Sequence, residues 1–267
     1  MKNLEKEINE WKQLLDTGEI NQETYELEIN KITKKYDARK NKGKKSIKEK
    51  LENTVRIIKY FIPLFIILFL YSNLYVIKDI QYVESLKNIG EPIQNKTSGN
   101  TEKIINSTKI NINYIANYSI TGRVVDVQDY FGYNITNKLS PRDIGISWGF
   151  LTSDENNNHL KWTSTGNRFL KWSTNDGVWL SSIGGKQEVN KRFSNNHVIP
   201  SDKNIAKLIR NIKKDDFVRI DGYLVNVNYE TNNGGYYTWN SSTNRYDSGD
   251  GACEIIYVTN VTWLELK

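Results

Sequence analysis

Apolar residues recur at helical spacing near the amino terminus, where Ile8, Trp11, Leu14 and Leu15 form one stripe and Tyr25, Ile29 and Ile32 continue it beyond Gly18. The pattern predicts two short helices joined by a tight turn, with Gly18 as a C-cap and the second helix starting near Asn21. The periodicity then gives way to an unbroken apolar run. From Tyr60 to Ile77 eighteen residues carry no charge, and Ile57 and Ile58 extend the run past Lys59, whose stem can snorkel. A run apolar on every face, starting more than fifty residues into the chain and ending in Tyr71, Tyr75 and Lys78, predicts a transmembrane helix over 55–77 rather than a cleaved signal peptide. Pro63 falls near its start, where proline costs least.

Residues 78–114 are rich in Asn, Lys, Ser, Thr and Ile, with Gly90, Pro92 and Gly99 among them, and are expected to hold a helix continuation and a linker. From Tyr118 the texture becomes β. YSITGRVVDVQDYF alternates around Gly122, and DIGISWGF, LKWTS, RFLKWS and VWLSS follow as short strands between turn clusters. Pro200 and Ser201 introduce one helix carrying Ile205, Leu208, Ile209 and Ile212, before a strand with a central Gly222 and a closing strand, CEIIYVTNVTWLEL, apolar on both faces. The expected fold class is therefore α plus a transmembrane helix plus β. It comprises a helical hairpin (1–36), a basic juxtamembrane segment (37–54), the span (55–77), the linker (78–114) and a β-rich barrel of the OB type with one helix (115–267).

Charge refines this picture. The net charge of +6 resembles a nucleic-acid signature until it is placed: ten Lys/Arg crowd residues 31–50 against Asp37 and Glu49, whereas 78–267 hold 22 basic and 20 acidic residues. A basic collar abutting an apolar run acts as a topogenic signal and attracts anionic lipid, so nucleic acid is disfavoured as a partner. The same collar places residues 1–55 in the cytoplasm and the β-rich part outside the cell membrane, with the lipid bilayer as a partner. Sequons at Asn95, Asn106, Asn117, Asn134, Asn240 and Asn260 are what an Asn-rich chain generates by chance, and they assign no compartment.

The stretch LLDTGEINQETYELEINKI resembles the short SHOCT module of bacterial proteins through Leu14, Leu15, Gly18, Ile20, Glu23 and Tyr25. It departs from that pattern at Glu19 and at Asn21, which stands where Thr is usual. The resemblance implies an association hairpin, through self-association or a protein partner. SPRDIGISWG, NNHVIPSD, FVRIDGYLV and TWNSSTNRYDSGDGACEIIYV together resemble a bacterial family of membrane-anchored proteins, a likeness that implies a domain and no activity.

The densest chemistry lies near the carboxyl end. Cys253, the only cysteine, with His197, Asn196, Asp247 and Asp250, offers the residue types of a thiolate nucleophile with an imidazole and an orienting group. The commoner reading of such a free cysteine is a small core residue, with His197 anchoring a loop. Asp247, Asp250 and Glu254 in a glycine-rich run suit a hard cation, without the ligand periodicity of an EF-hand. Trp148, Trp172, Trp239, Ser241 and Ser242 are candidate ligand contacts, although tryptophans in a small barrel commonly fill its core. No cofactor motif is present. The reading that follows is a membrane-anchored binding or assembly module, with an exterior cysteine-dependent hydrolase or transferase as the alternative.

Overall fold

The computed structural model describes residues 2–74, 76–231, 234–244 and 253–267, in two compact units, 1–75 and 76–267. In the first unit, α1 (Lys2–Asp16) and α2 (Gln22–Leu74) form an antiparallel hairpin. Gly18, at φ +78°, makes the turn that glycine adopts at least cost, and Asn21 caps α2 by accepting from the Thr24 amide at 2.9 Å. Asn thus performs the capping that Thr would.

The expected transmembrane span is not found: no helix among the described residues is long and apolar enough to cross a membrane. Among the described residues α2 extends to Leu74, and its uncharged part from Tyr60 counts fifteen residues against the roughly 20 that a bilayer core requires. α2 runs through 22–74 without a break, Pro63 included.

The second unit opens with β1 (Asp79–Val83), β2 (Ile93–Ile105) and the long β3 (Thr108–Asp129). Residues 78–114, expected as helix continuation and linker, therefore carry two strands and the start of a third. Then follow α3 (Ile135–Leu139), β4 (Arg142–Ser147), a 3-10 turn (Phe150–Thr152), α4 (Asp154–Asn157), β5 (Lys161–Thr165) and β6 (Phe169–Ser173). The chain continues through α5 (Gly177–Ser182), α6 (Lys186–Asn190), β7 (Phe193–Pro200), α7 (Lys203–Asn211), β8 (Phe217–Glu230), β9 (Tyr236–Asn240) and β10 (Glu254–Leu266). The single helix expected among the strands is joined by four shorter ones.

The strands form an eight-stranded sheet in the order β1-β10-β7-β4-β3-β8-β9, with β2 added to β3 and β5-β6 as a separate hairpin. β10 also pairs with β8, so the sheet wraps on itself around its core. It is nevertheless not the closed OB-type barrel that was expected: β1, β2 and β9 extend past the wrapped strands and leave edges. β10 runs parallel to both β1 and β7, the first of these pairings joining the beginning and end of the unit.

The long strands serve several cores in turn. Tyr118, Ile120 and Val124 of β3 enter the main cluster with Ile144, Ile146, Val218, Ile220, Ile256 and the α7 residues Ile205 and Ile209. Ile110 and Ile112 instead join Leu139, Ile199, Val227 and Ile255, while Val125 joins Leu151, Trp162, Leu170 and Trp179 beneath the β5-β6 hairpin. Arg142 ties α7 to the sheet. Its guanidinium forks onto Asp129 at 2.6 and 2.8 Å and donates to the carbonyls of Ile209, Arg210 and Ile212, the last turn of the helix.

Arg142→Met is expected to destabilise the unit by about 3 kcal/mol, because those carbonyls and a carboxylate lose their donor together. The Arg142 guanidinium bonded to Asp129 holds that carboxyl below its ordinary range against the opposing effect of burial. The stabilisation is therefore present above about pH 4 and fades as pH falls through the depressed value of the folded state. Urea melts between pH 3 and 6 of the wild type and of Arg142→Met check this, the variant being expected to lose part of the acid dependence.

Candidate functional site

Strand alternation builds the site. On β7, Asn195, His197 and Ile199 face one way and Ser194, Asn196 and Val198 the other. Val198 belongs to the main core and Ile199 to the second cluster, so His197 stands on the face outside the main core. Directly opposite in the antiparallel register is Asp143 of β4, and on the parallel neighbour β10 the partner of His197 is Ile255, two residues after Cys253. The His197 Nδ1 lies 2.8 Å from Asp143 Oδ1, with His197 4% and Asp143 2% exposed.

The β5-β6 hairpin lies across this face. Where it crosses β4 the chain has Gly145, at which any Cβ would run into Leu170. The hairpin tip delivers Arg168, whose amide bonds to the Thr165 carbonyl at 3.1 Å and whose φ is +63°. A non-glycine residue held there costs about 1–3 kcal/mol, which the surrounding contacts must offset. The contacts are several. Arg168 donates to Asp143 Oδ1 at 2.8 Å, to Asn137 Oδ1 at 3.0 Å and to the Ser140 carbonyl at 2.9 Å, while its own carbonyl accepts from Asn195 at 2.8 Å. Its guanidinium carbon sits 3.9 Å from the centre of the Tyr130 ring and 5.5 Å from that of Trp239. Burial, then the neighbouring Asp143 carboxylate, pushes the Tyr130 phenol upward, so that it stays a neutral donor.

Beside this cluster is a cavity of about 430 Å³ lined by Thr136, Arg168, His197, Trp239 and Cys253 among others. Trp239 of the edge strand β9 packs its ring 4.9 Å from that of His197. Cys253 is half-buried, not sealed in a core, and its Sγ lies 3.8 Å from the Asn195 side-chain nitrogen and 3.9 Å from the Arg168 carbonyl. The exposed Asn167, Thr238 and Asn240 form a rim reached from solvent.

The other candidate residues fall elsewhere. Asn196, on the opposite face, donates to the Ile144 carbonyl at 2.9 Å, and Asn195 takes the place beside the thiol. Trp148 is buried in the main core, and Trp172 packs on the hairpin cluster with its indole donating to Asn190. Ser241 accepts from the Ile255 amide at 2.9 Å, and the Ser242 amide donates to the Cys253 carbonyl at 3.1 Å, so both serines brace the chain around the thiol. Glu254 is buried in register with Asn196, away from the cavity face. Asp247 and Asp250 lie outside the described residues, among which no group of three His, Cys, Asp or Glu side chains could hold a metal ion.

The sequence reading missed Asp143 and Arg168. The available signal was an acidic residue at the head of the otherwise apolar strand DIGIS, a placement that demands a cation nearby. No family model, curated protein or solved structure matches this chain.

Proposed function

We propose that residues 76–267 form a binding module whose ligand occupies the cavity between the β5-β6 hairpin tip, β7 and β9. The observation that carries this reading is the strained Arg168, locked by Asp143, Asn137 and Ser140 at the cavity wall beside a partly buried tryptophan. Strain and buried charge gathered beside one cavity mark functional sites. The volume falls within the range of small-molecule sites.

The lining sets the ligand chemistry. Asp143 already pairs with the Arg168 charge, and the lining adds the neutral Asn167 amide and Thr136 hydroxyl, with Thr238 and Asn240 alternating with Trp239 along the β9 edge. A carboxamide offers one donor face and one acceptor, the complement of a planar amide, and Trp239 offers a ring for stacking. The ligand is a neutral amide-bearing compound of a few residues' size with a flat apolar group.

Titration of the full chain with N-acetyl amino-acid amides, aromatic and aliphatic, tests the reading by calorimetry. Saturable binding that favours the aromatic amides and weakens at least tenfold in Trp239→Ala is expected. Equal affinity in that variant, or no binding by the set, would remove the reading.

A further inference from the structure

We infer that the cavity also performs acyl transfer, with Cys253 as nucleophile and His197 as its general base; this rests on the binding reading above. The sheet brings the two together. Cys253 immediately precedes β10, whose Glu254 and Ile255 pair in parallel with Asn196 and His197 of β7, and its sulfur lies 3.8 Å from the Asn195 side-chain nitrogen. Strand spacing and rise put such positions about 8 Å apart at the backbone, and both side chains line the same cavity. That separation is spanned by an imidazole and a thiol directly or through one water.

Each group has a defined place. Asp143 Oδ1 lies 2.8 Å from Nδ1 without a hydrogen bond between them, so the carboxylate acts on the ring through its charge, and Nε2 is the nitrogen left to serve as acceptor. Asp143 is held in turn by Arg168, so it acts as a positioning residue for His197. The Asn195 side-chain nitrogen uses one hydrogen on the Arg168 carbonyl, and its second faces the sulfur, where it can donate to an oxygen developing beside it. The substrate class is a neutral ester, thioester or activated amide.

The chemistry balances without a co-reactant other than water. His197 Nε2 takes the thiol proton as sulfur forms a bond to the acyl carbon, and the bond from that carbon to the leaving oxygen, sulfur or nitrogen breaks as the leaving atom receives the proton from Nε2. Water then adds to the thioester with Nε2 taking its proton, the carbon–sulfur bond breaks, and the thiol is regenerated.

The full chain is incubated with N-acetyl-phenylalanine p-nitrophenyl ester, with p-nitrophenol release and the intact mass followed together. Expected are a burst, an acyl adduct mapped to Cys253, no adduct in Cys253→Ala, and adduct formation at least 100-fold slower in His197→Gln. The solvent isotope effect on the wild type serves as a check independent of variant folding. Acylation in which the imidazole takes the thiol proton is slower in D2O than in H2O, whereas attack by a preformed thiolate is not. In Asp143→Asn the acylation rate constant is expected to fall further than amide binding weakens in the same variant, which separates positioning of His197 from loss of the Arg168 anchor. Acylation that is no slower in D2O, or equal rates in His197→Gln, would overturn the inference. If amides bind as proposed and the ester leaves no adduct, acyl transfer fails alone; if neither occurs, the binding reading falls with it.

Discussion

Gly222→Ala is expected to unfold residues 76–267 or leave them marginally stable. A Cβ at this position would run into the carbonyl oxygen of Tyr257 and lie 3.1 Å from the Val258 Cα, both backbone of the neighbouring β10. The strands could part only by breaking the β8-β10 pairing, with Tyr223 opposite Tyr257 and Gly222 opposite Val258. No rotamer change relieves an atom set against main chain, so the expected cost exceeds about 4 kcal/mol, a large share of a domain's usual stability of about 5–15 kcal/mol. Gly166→Ala is the matched control, because nothing lies within 4 Å of its added carbon. Urea denaturation followed by tryptophan fluorescence checks both: the control should fall within about 1 kcal/mol of wild type. Gly222→Ala melting alongside it would mean that β8 and β10 do not approach this closely.

The second large effect is expected from Arg168→Met. The substitution leaves Asp143, 2% exposed, without the cation that donates to it at 2.8 Å, and it withdraws the donor from Asn137 and from the Ser140 carbonyl. Removing one partner of a buried pair costs about 3–5 kcal/mol, since the remaining charge has lost the interaction that offset its desolvation. The double variant Arg168→Met with Asp143→Asn removes both charges and is expected to recover part of the loss. A double-mutant cycle by denaturant melts measures the coupling, which should reach at least 1.5 kcal/mol for a close buried charge pair. Coupling near zero would show that the hairpin tip does not depend on Asp143, and the cavity wall would lose its anchor.

Local signals made some of this legible in the sequence. The stripe containing Trp11 and Ile29, the glycine at 18 and the Asn cap at 21 specify the hairpin from neighbouring residues alone. The same holds for α7, whose Asp202 cap and the Ile205, Ile209 and Ile212 periodicity are local. The strands at 78–114 were hidden because an edge strand needs little apolar alternation. β2 is paired to β3 and largely exposed, and β1 depends on a partner at the far end of the chain.

At the site, Cys253, His197 and Trp239 were visible as unusual residue types, and they line one cavity. Their partners were not visible. Asp143 meets Arg168 across 25 residues through a hairpin that has to fold back over Gly145, a contact that no spacing rule encodes. The choice between Asn195 and Asn196 turned on strand parity, which a single residue reverses.

The chain contains only two histidines, which makes the central claim directly measurable. His197 lines the cavity beside Trp239, whereas His159 lies in a separate surface pocket with Asp176 and stacks on Trp179. Imidazole NMR signals of the full chain, followed during titration with N-acetyl-tryptophan amide, therefore carry an internal control. The account predicts that the His197 signals shift saturably while those of His159 stay in place. Movement of His159 alone, or of neither histidine at ligand concentrations that saturate calorimetric binding, would contradict it.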